Sequence, residues 1–364
     1  MNFRSDNTAG ASEKVLAALV AANGGVQPAY GADDLTKDVE KKLGEIFERD
    51  VAAFLVVNGT AANSLALACA APPYGAVLCH MESHIADDEC GAPEFFSGGA
   101  KLIGLPGIAC KLEPATVAMK LERMPAHSLR HSEITALSIT QATEAGTIYS
   151  CEEIAALSRV ARPRGLSVHM DGARFANALV ALGCTPAEMT WKAGVDILSF
   201  GATKNGCLAA EAVIFFDKEK AMEMAIRRKR AGHTLSKGRF LAAQMLAYLA
   251  DGHWLDLARR ANTTAQQLEE ALLSIPGVRL GWPRQANAVF AILPEAVNRR
   301  LRDANASYTP WSLDWLSVKS MPKKGETFFR FVTSFRTSMM EIEALRAAGQ
   351  AEPIAAPRVK AKTG

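Results

Sequence analysis

An aspartate and a lysine each stand just beyond an apolar run of this chain, and together they could hold a pyridine-based cofactor. Asp171 follows the run Ser167–Met170, and Lys204 lies shortly after the run Val195–Phe200. A pyridine ring that serves as an electron sink needs an amine to bind its aldehyde and a carboxylate to keep its ring nitrogen protonated. The pair predicts a site for pyridoxal 5'-phosphate, with Lys204 and Asp171 as catalytic residues.

Each of the two residues also has an ordinary structural explanation. A lysine in a loop is usually solvated, and an aspartate after a strand commonly forms a turn or caps a helix. The pair is more informative than either member, because both residues follow near-continuous apolar runs, which are typical of strands buried on both faces of a parallel sheet. Ligands of open α/β sheets bind outside the carboxyl ends of the strands.

Seven apolar runs that are typical of strands alternate with helical periodicities in the first part of the chain. Such alternation indicates an α/β fold with a mostly parallel seven-stranded sheet and crossover helices. The predicted strands are Val51–Val57, Ala76–Met81, Leu102–Leu105, Ile134–Thr140, Leu166–Met170, Asp196–Phe200 and Ala212–Phe216.

Helical patterns replace these strands after about residue 217, and short strand candidates follow at Ala288–Leu293 and Phe328–Thr333. This change predicts a smaller C-terminal α+β domain. The expected division is an N-terminal segment joining the small domain at 1–28, a large cofactor-binding domain at 29–245, the small domain at 246–350, and a disordered tail rich in Pro, Ala and Lys at 351–364.

Composition excludes several other classes of protein. The 364 residues are 49% hydrophobic and 22% charged, as is usual for a soluble protein, and the net charge of +3 is too small for a nucleic-acid surface despite the basic run Arg227–Arg230. Seven single cysteines without metal-ligand spacing indicate reduced thiols and no metal site. No signal peptide or membrane span is recognisable. We expect a cytoplasmic protein without nucleic-acid or membrane partners.

Two further motifs follow predicted strands at the same edge of the sheet. Gly59 and Thr60 stand where a helix begins, and the unpaired N–H groups of a helix N-terminus bind anions such as phosphate. N-capping by Thr60 would explain this motif equally well. His84 comes after the run Ala76–Met81, where an imidazole could stack on a pyridine ring, whereas His169 lies inside a strand and is expected in the core.

Six motifs, in this order, resemble those of the low-specificity L-threonine aldolases and the similar phenylserine aldolases. The resemblance covers residue 2 to about 345, and the combination is specific to the aldolase and β-eliminating lyase branch of fold-type I pyridoxal phosphate enzymes. The motifs are Asn2-Phe3-Arg4-Ser5-Asp6-Asn7-Thr8, Tyr30-Gly31-Ala32-Asp33-Asp34, Asn58-Gly59-Thr60-Ala61-Ala62-Asn63, Glu82-Ser83-His84, Asp171-Gly172-Ala173-Arg174 and Phe200-Gly201-Ala202-Thr203-Lys204-Asn205-Gly206.

The resemblance implies a fold-type I, transferase-like fold with pyridoxal phosphate as cofactor. Lys204 matches the Schiff-base lysine, and Asp171 matches the partner of the pyridinium nitrogen. Gly59 and Thr60 match the residues that hold the phosphate, and His84 matches a side chain that stacks on the ring. The resemblance also implies a homotetramer with active sites between subunits.

Three residues match positions associated with the carboxylate of an amino acid substrate. They are Ser5, Arg174 and Arg330, and Arg174 is also expected beside the cofactor. Arginine suits this task because its planar guanidinium can donate two hydrogen bonds to a carboxylate. Arg336 lies close to Arg330 in the sequence and is a competing candidate.

One departure from the family pattern concerns the catalytic base. Many relatives carry a Glu-Asn-Thr-His motif after the strand predicted at Ile134–Thr140, whereas this chain continues Gln141-Ala142-Thr143-Glu144. The second active-site histidine of those relatives is absent. His84 is the candidate base that remains, and discrimination between β-epimers of the substrate is expected to be loose.

The expected reaction is cleavage of L-threonine, L-allo-threonine and, as a further candidate, L-phenylserine to glycine and an aldehyde. A β-eliminating lyase or an aminotransferase of the same fold is the alternative, and the products distinguish the three activities. A dinucleotide-binding oxidoreductase needs a G-x-G-x-x-G turn after the first strand, which Val57–Ala62 lacks.

Overall fold

The computed structural model describes residues 1–313, 316 and 320–351. The tail predicted at 351–364 lies outside the described residues except for Ala351. A seven-stranded sheet forms the centre of the larger part of the molecule, in the order β1-β7-β6-β5-β4-β2-β3. Its strands are β1 Ala52–Val56, β2 Gly75–His80, β3 Lys101–Leu105, β4 Glu133–Thr140, β5 Ser167–Gly172, β6 Ile197–Gly201 and β7 Glu211–Phe215.

The sheet is mostly parallel, as the alternation of strands and helices predicts. β7 alone runs antiparallel to both of its neighbours, β1 and β6. The physical reason is the length of the β6–β7 connection, residues 202–210, because a parallel return needs a dozen or more residues. This short connection carries Lys204, which therefore stays at the edge of the sheet where β6 ends.

Helices cover both faces of the sheet and continue into the C-terminal part of the chain. After residue 217, where the sequence predicts helical patterns in place of strands, the chain forms helices as expected. The helices are α1 Glu13–Ala22, α2 Asp34–Ile46, α3 Gly59–Ala70, α4 His84–Asp87, α5 Ala92–Ser97, α6 Pro114–Arg123, α7 Cys151–Ala161, α8 Phe175–Leu182, α9 Pro186–Met189, α10 Met224–Arg230, α11 Arg239–Leu249, α12 His253–Leu273, α13 Glu295–Asp303 and α14 Met339–Gln350.

A second, antiparallel sheet lies in the C-terminal part, in the order β10-β11-β9-β8. Its two long strands are the ones that the sequence predicts, whereas the two-residue strands are too short to show a pattern. The strands are β8 Arg279–Leu280, β9 Ala288–Pro294, β10 Thr309–Pro310 and β11 Glu326–Val332. The N-terminal segment adjoins this sheet, since the N–H of Val332 donates to the carbonyl of Phe3 at 2.8 Å. The division into domains stays a prediction.

The core on the large sheet consists of apolar side chains from its strands and from the helices on either face. Helix α3 packs so closely on the sheet that Ala61, Ala62, Leu65 and Ala66 are all buried. Small side chains permit this approach, and it brings the N-terminus of α3 to the carboxyl edge of the sheet. Asp171 of β5 lies beside Ser199 of β6 at the same edge.

Gly201 allows the ends of β5 and β6 to come close together. A Cβ at this position would lie 2.6 Å from the carbonyl oxygen of Ala173. We expect Gly201→Ala to force these backbone segments apart and to lower the free energy of unfolding by about 1–3 kcal/mol, the usual cost of overpacking. Chemical denaturation measures this effect. Gly10→Ala is the control, because a Cβ there meets no atom within 4 Å, and equal stability of the two variants would contradict the expectation.

Candidate active site

Two adjoining cavities open at the carboxyl edge of the large sheet. The Thr60 cavity has a volume of about 240 Å³ and is lined by the start of α3 and the β6–β7 connection. The Arg330 cavity has a volume of about 150 Å³ and extends towards the C-terminal sheet. Both are lined by Asn7, Gly59, His84, Asp171, Ala173 and Lys204. Every predicted site residue lines one or both cavities, and the chemical roles of these residues stay predictions.

Lys204 lies on a short 3-10 helix, Thr203–Asn205, directly after β6. Burial, with a further contribution from the positive charge of Arg174, lowers the pKa of the Lys204 amine. A larger fraction of the amine is therefore neutral and nucleophilic at physiological pH. The Asn205 side chain anchors this helix by donating to the Tyr248 hydroxyl and to the Trp254 carbonyl, both at 2.8 Å.

Asp171 lies near the end of β5 with only 3% of its surface exposed. Its Oδ2 accepts a hydrogen bond from Nδ2 of Asn63 at 2.8 Å, and its Oδ1 accepts one from the backbone N–H of Ala173 at 2.9 Å. Both carboxylate oxygens thus have a fixed direction. Asn63 belongs to a motif recognised in the sequence, but sequence reasoning gave it no role.

A buried glutamate that sequence reasoning missed holds the His84 ring. Nδ1 of His84 lies 2.8 Å from Oε1 of Glu89, which also accepts a hydrogen bond from Nδ2 of Asn63 at 2.8 Å. The bond to Glu89 is the main cause that raises the pKa of His84, and burial raises the pKa of Glu89. Both shifts favour a proton between the imidazole and the carboxylate relative to the free side chains. Glu89 could not be found from the sequence because no spacing rule links it to His84.

The start of α3 offers an anion site in the Thr60 cavity. Asn58, not Thr60, caps the helix: its Oδ1 accepts from the N–H of Ala61 at 2.8 Å. The N–H groups of Gly59 and Thr60 lie in the first turn, where a helix supplies no acceptor. A Cβ on Gly59 would meet no atom within 4 Å. This open space beside unpaired donors fits a phosphate group.

Arg174, predicted to contact the substrate, forms a buried bidentate ion pair. Its Nε and Nη2 donate to the Asp6 carboxylate at 2.8 and 2.9 Å, and Nδ2 of Asn287 donates to the same carboxylate at 3.0 Å. Burial alone would raise the pKa of Asp6, but the Arg174 charge and hydrogen bond outweigh it and hold that pKa below its usual value. Two of the five N–H donors of Arg174 are thus already engaged.

Arg330, by contrast, has no carboxylate partner in the part of the chain that the structure describes. Its guanidinium carbon lies 4.1 Å from the centroid of the Trp311 ring, and its buried Nε has no hydrogen-bond partner. Burial lowers the pKa of Arg330 to about 10. A partly buried cation without an anionic partner is costly, so this group fits an anionic ligand.

Arg336, the competing candidate for the role of Arg330, lies outside the Arg330 cavity, whereas Ser5 lies in its wall. Arg336 donates to the carbonyl of Ala11 at 2.6 Å and does not line the Arg330 cavity. Arg330 is therefore the better placed of the two arginines. Ser5 lines the Arg330 cavity, and its Oγ accepts from the N–H of Asn7 at 3.2 Å.

Two more carboxyl groups line these cavities, and the sequence analysis gave neither of them a role. Oε1 of Glu144 accepts from the backbone N–H of His84 at 2.8 Å, and Oε2 of Glu211 accepts from the N–H of Ala202 at 2.8 Å. Burial raises the pKa of each to about 7. His169, predicted to be a core residue, is fully buried, and its ring nitrogens face the hydroxyls of Ser138 and Ser199.

These side chains fit pyridoxal phosphate: an anion site at Gly59 and Thr60, an amine at Lys204 and a carboxylate at Asp171 share one cavity. Residues 2–296 match the family model described as beta-eliminating lyase. The chain belongs to this family of lyases, whose cofactor is pyridoxal phosphate, and within it to the low-specificity L-threonine aldolases. In the described residues, no group of three or more His, Cys, Asp or Glu side chains could hold a metal ion.

The relatives support this placement over most of the chain. Low specificity L-threonine aldolase of Pseudomonas sp. strain NCIMB 10558 is 45% identical over 302 residues, which is 83% of this chain and 86% of that protein. The Pseudomonas aeruginosa protein of the same name is also 45% identical, over 82% of this chain and 86% of its own.

A solved structure described as Leishmania major threonine aldolase has the same fold. It is 26% identical and covers 95% of this chain and 98% of its own, with a TM-score of 0.87. The fold-type I class, the family and the dependence on pyridoxal phosphate that the sequence predicts are confirmed.

If Asp171 pairs with the pyridine nitrogen, Asp171→Asn should bind the cofactor but lose at least about tenfold in kcat, because an uncharged amide no longer favours the protonated ring. Absorbance of the bound cofactor and steady-state rates measure the two effects separately. Asp196→Asn, at a carboxylate that accepts from the N–H of Val168 at 2.8 Å outside both cavities, is the control. An unchanged rate in Asp171→Asn would mean that the ring nitrogen has a different partner.

Proposed function

We propose that this enzyme cleaves L-β-hydroxy-α-amino acids to glycine and an aldehyde, with L-threonine, L-allo-threonine and L-phenylserine as substrates. The observation that carries this proposal is the continuity of the two cavities. One holds the lysine, the carboxylate and the anion site that fit the cofactor, and the other holds the unpaired guanidinium of Arg330. An amino acid bound at this junction brings its amine to the cofactor side and its carboxylate to Arg330.

Each predicted cofactor contact has a physical task in this proposal. Lys204 would form the covalent bond to the cofactor, Gly59 and Thr60 would hold its phosphate, and Asp171 would pair with its ring nitrogen. When bound, pyridoxal phosphate stores the electron pair that bond cleavage leaves on the substrate α-carbon. His84 lines the same cavity with its side chain 37% exposed, so that the ring has a free face for stacking.

The carboxylate contacts select which bond breaks. Arg330 supplies the main charge, Ser5 adds a hydroxyl, and Arg174 contributes the part of its guanidinium that Asp6 does not engage. Fixing the carboxylate restricts rotation about the bond between the amine and the α-carbon, so binding energy is used to align the Cα–Cβ bond for cleavage.

The proposal also covers the cellular location and the subunit assembly of the enzyme. We propose a cytoplasmic homotetramer with active sites between subunits. An apolar groove of about 520 Å³ beside α1 and α11 and the exposed side chains of Leu16, Val20 and Val26 support a surface that another copy covers. No helix in the described ranges is long and apolar enough to cross a bilayer.

A β-eliminating lyase is the second candidate function, because the matching family model carries that description. Such an enzyme would release pyruvate and ammonia from a substrate with a leaving group on its β-carbon. An aminotransferase of the same fold would release a keto acid instead.

Product analysis tests the proposed function. The purified enzyme should release glycine and one equivalent of aldehyde from L-threonine, L-allo-threonine and L-threo-phenylserine, with the two threonine epimers within about tenfold of each other in kcat/KM, since few directional groups recognise the hydroxyl. Lys204→Ala should abolish release. Pyruvate or a keto acid as the main product would overturn the proposal, and a larger preference for one epimer would contradict the loose pocket.

Arg330 and Arg336 form a matched pair of variants for the carboxylate site. Arg330→Ala should lower kcat/KM by the equivalent of about 2–5 kcal/mol, because a buried charge loses its partner. Arg336→Ala, outside the cavity, should retain most of the activity. Steady-state kinetics with L-threonine give both values, and the model of substrate binding fails if the two variants behave alike.

A further inference from the structure

Glu144 is a buried carboxyl group in the wall of the Arg330 cavity that the roles assigned so far leave unused. It lies in the loop that follows β4, together with Thr140 and Ala142, which line the same cavity. Its Oε1 accepts the hydrogen bond from the His84 backbone, and its Oε2 is buried without a hydrogen bond of good geometry among the described residues. Oε1 is thus fixed. Burial raises the pKa of this carboxyl, and the hydroxyl of Thr140, which lines the same cavity, acts to lower that pKa.

Several ionisable groups surround Glu144, and most are committed elsewhere. Asp171 is hydrogen-bonded on both oxygens, Arg174 is paired with Asp6, and Nδ1 of His84 contacts Glu89 at 2.8 Å. The groups that face Glu144 or sense its charge are His84 and Asp88 from α4 and its end, Asp171 and Arg174 from β5 and its end, Lys204, Arg330 of β11, and the more distant Cys79, Cys110 and Tyr149.

Position separates Glu144 from the remaining candidates for a base. Lys204 also lines the Thr60 cavity, which holds the anion site, whereas Glu144 lines only the Arg330 cavity. Asp88 lines that cavity too, but its residue is exposed, so water competes for its carboxylate. A base for the part of the substrate that points away from the cofactor should lie where Glu144 lies.

We propose that Glu144 is the general base that takes the proton of the substrate β-hydroxyl. This assignment rests on the proposed aldolase function and deepens it. The hydroxyl proton passes to the Glu144 carboxylate, and the O–H electron pair becomes the second C–O bond of the aldehyde. The Cα–Cβ pair stays on the α-carbon, where bound pyridoxal phosphate would stabilise it, and a proton from water then completes glycine while Glu144 returns its own proton to water.

A structural role for Glu144 is the competing explanation. Ser83 precedes α4 without a side-chain capping bond, so Oε1 of Glu144 also serves as an acceptor for the start of that helix. Glu144→Gln separates the two roles, because an amide retains an oxygen for the His84 N–H but cannot take a proton. Glu144→Asp retains the carboxylate on a shorter side chain.

The test compares Glu144→Gln with Glu152→Gln, a control at an exposed glutamate in the first turn of α7. With L-threonine, Glu144→Gln should lose at least about 100-fold in kcat, the lower range for a general base, and Glu144→Asp should recover part of it. The control should match wild type. Because burial raises the pKa of Glu144 to about 7, wild-type kcat/KM should rise with pH through that value, and Glu144→Gln should lack this rise.

Two readouts do not depend on cleavage. Deuterium exchange at the α-carbon of glycine needs no hydroxyl base. The fold decrease in the exchange rate of Glu144→Gln, relative to wild type, should therefore be at least about ten times smaller than the fold decrease in its rate of threonine cleavage. Infrared difference spectra of the apoenzymes should show a smaller carboxyl signal titrating near pH 7 in Glu144→Gln than in wild type, because Glu211 still contributes to that signal and Glu144 no longer does.

The outcomes separate the base assignment from the aldolase function. Near-wild-type cleavage by Glu144→Gln, or equal losses in cleavage and exchange, overturns the assignment while leaving the aldolase in place. The same holds if His84→Asn abolishes the pH-dependent rise and Glu144→Gln keeps it, since His84 is then the base. A wild-type enzyme that releases no aldehyde from any substrate overturns both.

Discussion

The hydrogen bond from the Asn63 side chain to Asp171 is the interaction on which the site depends. It joins α3, whose first turn offers the anion site, to the end of β5. The same amide group donates to Glu89, which in turn holds the ring of His84. One side chain thus sets the distance between the anion site and the carboxylate and also fixes the imidazole. Because Asn63 and both of its partners are buried, loss of this amide would leave two carboxyl groups close together without a donor between them.

Charge balance explains why the two arginines that line the Arg330 cavity differ. Desolvating a guanidinium costs several kcal/mol unless an anion or several acceptors accompany it. Arg174 meets this requirement within the chain through Asp6, and that pair also ties the N-terminal segment to the end of β5. Arg330 rests on the Trp311 ring instead, and a ring face offsets only part of the lost hydration. The protein is therefore built to gain stability when a carboxylate enters beside Arg330.

The sequence alone was sufficient to predict the strands of the large sheet and the residues that lie at its carboxyl edge. Buried strands appear as apolar runs, so positions such as Asp171 and Lys204 follow from where each run ends. The partners of these residues could not be found in this way, because contact between Asp6 and Arg174 joins residues that are 168 positions apart. The sequence alone also did not decide which residue caps the N-terminus of α3, since Asn58 and Thr60 are both good capping residues. The antiparallel direction of β7 depends on the length of one loop. The alternation of strands and helices predicts a parallel sheet and therefore gives no sign of this reversal.

The N-terminal segment and the C-terminal sheet both contribute residues to the Arg330 cavity, so this cavity can form only after both have been synthesised. The residues around the Thr60 cavity span positions 7–211, whereas those around the Arg330 cavity span 5–330. Domains fold as the chain emerges, N-terminal parts first. The first residues must therefore wait for almost the whole chain before their partners in the second cavity exist. The lysine and the anion site can come together on the ribosome, but a nascent chain acquires the guanidinium of the second cavity only after residue 330 has emerged.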